Sequence, residues 1–133
     1  CVAVTGGPAE SSLVSEVVAA SGPAAVNLMD RGLSLGSLKG AIAAADLLVT
    51  NDTGPMHVAA ALRTPLVALF GPTAPQRTGP YGQLGNVFRL DLPCVPCMKS
   101  RCRWKDPLAC LRGLEVDRVV AASLRLLGET GTL

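Results

Sequence analysis

Residues 49–73 read VTNDTGPMHVAAALRTPLVALFGPT: an apolar run, a polar turn, a run of small residues and a second apolar run. The turn holds Asn51, Asp52, Thr53 and Gly54, and the chain's one histidine, His57, follows three residues after Gly54. This order predicts a strand, a helix over 54–62 and a strand over 65–70.

The same alternation extends outward in both directions. CVAVT (1–5) reads as a strand ending in Gly6-Gly7, and Pro8 stands where a helix tolerates a missing N–H. Leu13, Val14, Val17 and Val18 then mark one face of a helix over about 9–20, which Ser21-Gly22-Pro23 ends. AAVNL (24–28) is the next strand, and Ser34 is the expected N-cap of a helix marked by Leu35, Leu38 and Ile42 as far as Ala45. DLLVT (46–50) leads into the opening stretch, and NVFRL (86–90) follows it as a last strand. Residues 91–113 read as an irregular cysteine-bearing loop, and Val116, Val119, Val120, Leu124 and Leu127 mark a C-terminal helix over 114–128. Strands without polar alternation suit a parallel sheet covered on both faces. The expected class is therefore α/β, a Rossmann-like doubly wound parallel sheet forming one domain over 1–133.

Composition narrows the functions. Hydrophobic residues make up 49% of the 133 and mean hydropathy is +0.39, enough for a core. No apolar run approaches the ~20 residues of a membrane span; Arg63, Thr64 and Pro65 interrupt the stretch from Val58 to Phe70. A net charge of +2 and four aromatics (Phe70, Tyr81, Phe88, Trp104) offer little to nucleic acid, and no nucleic-acid partner is expected. The basic residues gather in MKSRCRWK (98–105) as Lys99, Arg101, Arg103 and Lys105. They read either as a solvated loop or as a contact for a phosphate-bearing acceptor or an anionic membrane surface. The chain opens at Cys1 with no basic segment or cleavage signal, so it is expected to be a piece of a longer protein and not a secretory precursor.

In an open parallel sheet, ligands bind beyond the carboxyl ends of the strands. Asn51 to Gly54 would sit at that edge, where a helix start offers free N–H groups and a partial positive charge to a phosphate. Gly54 would permit close backbone approach, Thr53 would add a hydroxyl, and His57 an imidazole N–H. Asp52 repels phosphate but suits the hydroxyls of a sugar. The plainer alternative is that Asp52 or Thr53 simply caps the helix and His57 is an ordinary surface residue. In TGGPAE, Glu10 either suits the helix dipole or holds the two hydroxyls of a ribose.

The wording of the central stretch is more specific than its pattern. ADLLVTNDTGPMHVAAALRTPLVALFGPTAPQRTGPYG resembles the C-terminal domain of glycosyltransferase family 9, the heptosyltransferases of lipopolysaccharide synthesis. The resemblance is carried by Asp52, Thr53, Gly54, His57, Pro65, Phe70, Gly71, Pro72, Thr73, Tyr81 and Gly82, with GGPAE and Ser34-Leu35 upstream. It implies the second, donor-binding half of a GT-B enzyme. By position, Asp52 would contact the donor sugar, Thr53 and Gly54 the diphosphate, and His57 would support that loop. Glu10 would hold the ribose, and the backbone near Leu33 would lie against the base. The implied partners are a nucleotide-diphosphate sugar such as ADP-heptose and a glycolipid acceptor. The implied chemistry is inverting transfer without a catalytic metal, in the cytoplasm at the inner face of the inner membrane. The base would come from an acceptor domain, and a first strand with its threonine/lysine loop would precede Cys1, so this piece is not expected to turn over alone. A non-catalytic Rossmann-like nucleotide-binding module is the alternative.

Four of the five cysteines stand as Cys94-x2-Cys97-x4-Cys102-x7-Cys110. The close first pair suits metal chelation, and four thiolates would close a tetrahedral zinc site. The spacing is not a standard zinc ribbon. Disulfides formed on oxidation and free thiols remain open as alternatives, although a cytoplasmic setting disfavours the former.

Overall fold

The computed structural model describes residues 1–130; the last three, 131–133, included in the expected domain, lie outside the described residues. The chain forms two compact units, residues 1–38 and 39–133.

In the first unit β1 (Val2–Val4) pairs in parallel with β2 (Ala25–Asn27), with Val2 opposite Ala25 and Val4 opposite Asn27. The crossover is α1 (Ser11–Ser21), entered through a 3-10 turn at Pro8–Glu10, so the proline does begin a helical segment. Of the four apolar residues expected on one face of α1, Val14 is buried and Val18 half-buried, whereas Leu13 and Val17 are exposed. Ser34 caps α2 (Leu35–Ala44) as expected, accepting the Ser37 N–H at 3.1 Å. Ser37 Oγ in turn accepts the Ser34 N–H at 2.9 Å, a reciprocal box with serine at both corners. The unit boundary falls within α2.

The second unit is built on a three-stranded parallel sheet in the order β3-β4-β5, comprising β3 (Leu48–Asn51), β4 (Leu66–Phe70) and β5 (Val87–Arg89). Asn51 lies opposite Leu69, and Phe70 opposite Arg89. Leu66, Val67, Ala68 and Phe70 are all 0% exposed, so β4 is covered on both faces as expected. β3 is not: Val49 stays half in solvent. Phe70 and Met56 are the largest fully buried side chains, and Met56 comes from α3 (Gly54–Leu62) with Ala59 and Ala60 beside it.

The join from α3 to β4 is tightly specified. Arg63 ends α3 in the left-handed region, at φ 59°. The Thr64 N–H returns to the Ala59 carbonyl and the Arg63 N–H to that of Ala60, which satisfies carbonyls the helix end would orphan. Buried Thr64 donates its hydroxyl to the Ile42 carbonyl at 3.0 Å. The Gln83 amide then acts as a stand-in strand. It accepts the Leu66 N–H at 3.0 Å and donates to the Thr64 carbonyl at 2.9 Å.

The remaining elements are α4 (Pro75–Thr78), α5 (Ala109–Arg112) and α6 (Val116–Thr130). The expected irregular segment 91–113 thus ends in a short helix. On α6 the apolar face is rotated from the one the sequence marks. Val116, Val120, Leu124 and Leu127 are exposed, while Leu126 is buried and Val119, Ala122 and Ser123 are half-buried. These four share one helical stripe, and α6 packs on β4, so small residues there allow the close approach. Among the described residues no helix is long and apolar enough to cross a membrane.

Two substitutions test the α3–β4 join in denaturant unfolding. Thr64→Val keeps the shape but removes one of two donors to the Ile42 carbonyl, which keeps the Ala45 N–H at 3.3 Å, and is expected to lower stability by about 0.5–1.5 kcal/mol. Arg63→Gly relieves a left-handed residue and is expected to raise it by roughly 0.5–1 kcal/mol.

Candidate functional site

Asp52, Thr53 and Gly54 follow the carboxyl end of β3, and the Gly71–Thr78 segment follows that of its neighbour β4. Parallel pairing therefore sets the two loops side by side at one sheet edge. Thr78, in α4, donates its hydroxyl to Asp52 Oδ2 at 3.1 Å, which ties them together.

Neither polar side chain caps α3. Thr53 occupies the N-cap position with extended backbone (φ −142°, ψ 172°) but its hydroxyl makes no capping bond. That hydroxyl lies 3.4 Å from the Asn51 carbonyl and 3.4 Å from Thr50 Oγ1, which are long contacts. The plain-cap alternative is thus corrected: Asp52 is drawn to Thr78, and Thr53 leans back on its own strand. Pro55 has no N–H, and the Met56 N–H returns to the Thr53 carbonyl at 3.1 Å. Gly54 is exposed, and a Cβ there would meet nothing within 4 Å. The mouth of α3 is left open, with the Gly54 amide and the Thr53 hydroxyl at its rim. His57 is exposed, one turn into the same helix, and its imidazole has no hydrogen-bond partner among the described residues.

The neighbouring loop adds residues that the sequence reading did not single out as site residues. Thr78 is one, and Thr73 is another: its hydroxyl oxygen is buried without a hydrogen-bond partner. Thr73 stood inside the family wording; Thr78 had no signal of its own beyond its place before Gly79-Pro80-Tyr81.

Glu10 and Leu33 lie in the first unit, on the segments that follow the carboxyl ends of β1 and β2. Glu10 is exposed and folds back, its Oε2 accepting the Gly7 N–H at 2.6 Å, a short charge-assisted bond. A Cβ at Gly6 would sit 3.0 Å from Glu10 Oε2 and 3.1 Å from Val14 Cγ2, a tight fit that favours glycine beside this fold-back. Leu33 is half-buried and follows Gly32, whose φ of 60° turns the chain.

None of the four grouped cysteines is joined in a disulfide. Cys94, Cys97 and Cys102 line one cavity of about 130 Å³ together with Lys99, Arg103 and Trp104. Cys110 is buried, and burial pushes its thiol up, reinforced by the neighbouring sulfur of Cys102 and, less, by those of Cys94 and Cys97. Exposed Cys102 is lowered, chiefly by backbone N–H groups of Leu108 and Trp104 directed at its sulfur; the Leu108 bond measures 3.3 Å. A second cavity of about 190 Å³ lies between β5 and α6, lined by Phe88, Arg89, Glu115 and Arg118 among others. Neither cavity includes residues 51–57, so the α3 mouth is an open edge.

Comparison with known proteins gives this edge its context. The sequence profile of glycosyltransferase family 9 (heptosyltransferase) matches residues 1–107. Over 87 residues the chain is 39% identical to lipooligosaccharide heptosyltransferase 2 of Campylobacter jejuni, covering 65% of this chain and 27% of that protein. Over 49 residues it is 57% identical to lipopolysaccharide heptosyltransferase 2 of Escherichia coli, covering 37% of this chain and 14% of that protein. The solved structure of E. coli ADP-heptose lps heptosyltransferase II matches at a TM-score of 0.77 and 30% identity, over 98% of this chain and 37% of that one. The chain thus spans well under half the length of the relatives it matches. With the profile running over residues 1–107 of 133, and Rossmann-like parallel sheets shared with a solved GT-B member, the chain belongs to glycosyltransferase family 9.

Proposed function

We propose that the chain supplies the donor-binding part of a glycosyltransferase that moves heptose from a nucleotide-diphosphate sugar of the ADP-heptose kind to a lipopolysaccharide-type acceptor. One observation carries this reading. Asp52 is held by Thr78 and Thr53 makes no cap, so the start of α3 stays open at the carboxyl edge of a parallel sheet. A structure with only stability at stake would spend one of those oxygens on the helix amides. The names of the relatives supply the sugar and the class of acceptor.

In the proposed reaction an acceptor hydroxyl attacks the anomeric carbon from the face opposite the diphosphate. The bond from that carbon to the diphosphate oxygen breaks, and configuration inverts. A carboxylate from the acceptor-binding part of the longer protein takes the hydroxyl proton. The departing diphosphate gains charge as the bond breaks, and the open start of α3 is suited to stabilise it. The Gly54 N–H, the Thr53 hydroxyl and the positive end of the helix dipole all favour that charge. Asp52 meets the sugar hydroxyls with the oxygen that Thr78 leaves free, and His57 supports the loop from one turn in. The scheme assigns the charge to these donors and uses no catalytic metal. In the first unit, Glu10 and the backbone near Leu33 are assigned by the family resemblance to the ribose and the base. A cytoplasmic setting at the inner face of the inner membrane belongs to the same reading.

Calorimetric titration in the full-length protein, with ADP-heptose and with ADP, tests the corner. Asp52→Ala removes a charged partner of the sugar and is expected to weaken ADP-heptose binding by roughly tenfold to a hundredfold while changing ADP affinity little. Thr78→Val, which only releases Asp52, is expected to cost about two- to tenfold on the same ligand. Equal affinity of wild type and Asp52→Ala for ADP-heptose would remove Asp52 from the site. ADP bound without any ADP-heptose preference would favour a plain nucleotide-binding module.

A further inference from the structure

From Leu90 to Leu108 the chain forms no helix or strand. Segments of this length without secondary structure are uncommon in compact domains. Its own backbone does little to hold it: the Val95 N–H bonds to the Leu92 carbonyl, and the Met98 N–H reaches across to that of Pro72 at 2.8 Å. Cys94, Cys97 and Cys102 nevertheless line one small cavity, and Cys110 follows two residues after Leu108, whose N–H bonds to the Cys102 sulfur at 3.3 Å. The flanking groups are equally specific. Lys99 and Arg103 line the same cavity, and backbone N–H groups of Leu108 and Trp104 point at the Cys102 sulfur.

We propose that Cys94, Cys97, Cys102 and Cys110 form a structural site for a soft divalent ion of the zinc class, which fastens this loop. Four sulfurs in a tetrahedral arrangement select zinc over the hard cations, which want oxygen. Among the described residues no three metal-binding groups yet converge on one point. Ion binding therefore has to draw the thiols together, to Zn–S distances of about 2.3 Å. Four thiolates around a divalent ion leave roughly two negative charges. Lys99 and Arg103 offset them, and the N–H groups at Cys102 are the hydrogen bonds that coordinated sulfur accepts. The basic run 98–105 thus gains a role in the fold. The site also reaches the donor edge. Met98 bonds to Pro72, and Gly71 packs so closely on Leu111 and Cys110 that a Cβ there would lie 2.8 Å from Leu111 Cγ. Fastening the loop therefore braces the turn that leads to Thr73 and Thr78. This inference is independent of the donor chosen and of the proposed activity.

The test uses the full-length protein, purified reduced and without added metal. One zinc per chain by elemental analysis is expected, together with the charge-transfer and d–d absorption of tetrahedral cobalt thiolate when Co²⁺ is titrated into metal-free protein. Of the five cysteines in this chain, only Cys1 should then react quickly with a thiol reagent, and all five after chelation. Cys102 is exposed, so Cys102→Ser is expected to fold and yet to bind cobalt more than about a hundredfold more weakly, beyond the roughly tenfold to hundredfold that loss of a ligand's hydrogen-bond partner costs. Cys1→Ser should leave binding unchanged. Absence of zinc and of thiolate–cobalt bands with five freely reactive thiols would overturn the proposal. So would thiols lost to disulfides under reducing purification, or unchanged cobalt affinity in Cys102→Ser.

Discussion

β4 lies between β3 and β5 with Leu66, Val67, Ala68 and Phe70 all withdrawn from solvent. Each large side chain among them stabilises the fold by roughly 1.5–3 kcal/mol on burial. No other strand of the second unit is covered so completely. Its position sets the rest: a parallel strand shares its carboxyl edge with its neighbours, so the chain that leaves β3 and the chain that leaves β4 must emerge beside each other. The Asp52–Thr78 hydrogen bond is a consequence of that adjacency. Slipping β4 by one residue would turn its faces over and separate the two loops. The Gln83 amide, bonded at both Thr64 and Leu66, guards against that slip at the other end of the strand.

The candidate edge leaves polar groups at the start of α3 without side-chain caps. Three groups at the α3 start (the Asp52 carboxylate, the Thr53 hydroxyl and the Thr53 carbonyl) offer oxygens, and the bond from the Met56 N–H goes to the backbone carbonyl. Nearby, the Thr73 hydroxyl oxygen is buried with no partner. Groups left this way cost free energy unless something else meets them. A phosphate-bearing ligand is the kind of group that the open helix start favours.

The cysteine-bearing segment is tied into the same region from the far side. Cys110 and Leu111 press against Gly71, and Met98 holds Pro72. The turn after β4 is therefore gripped between the segment that carries the thiols and the loop that carries Asp52. Its glycine is required by close approach, since Gly71 is buried with no room for a side chain.

Much of this was legible in the amino-acid order. Apolar runs bounded by Gly, Pro and Ser located the five strands and four long helices of the described residues, because backbone propensity and turn chemistry act over a few residues. The wording around Asp52, Thr53, Gly54 and His57 marked the family and pointed to a candidate edge. Helix faces were less legible. Leu13 and Val17 on α1 follow helical spacing yet stay exposed, and so do Val116 and Val120 on α6, where small residues such as Ala122 and Ser123 let the helix approach β4. Only the tertiary structure decided what Asp52 bonds to, that Gln83 patches the start of β4, and that Thr73 is left unsatisfied. Each depends on residues brought together from separate loops by strand pairing, and such distances are absent from any local pattern.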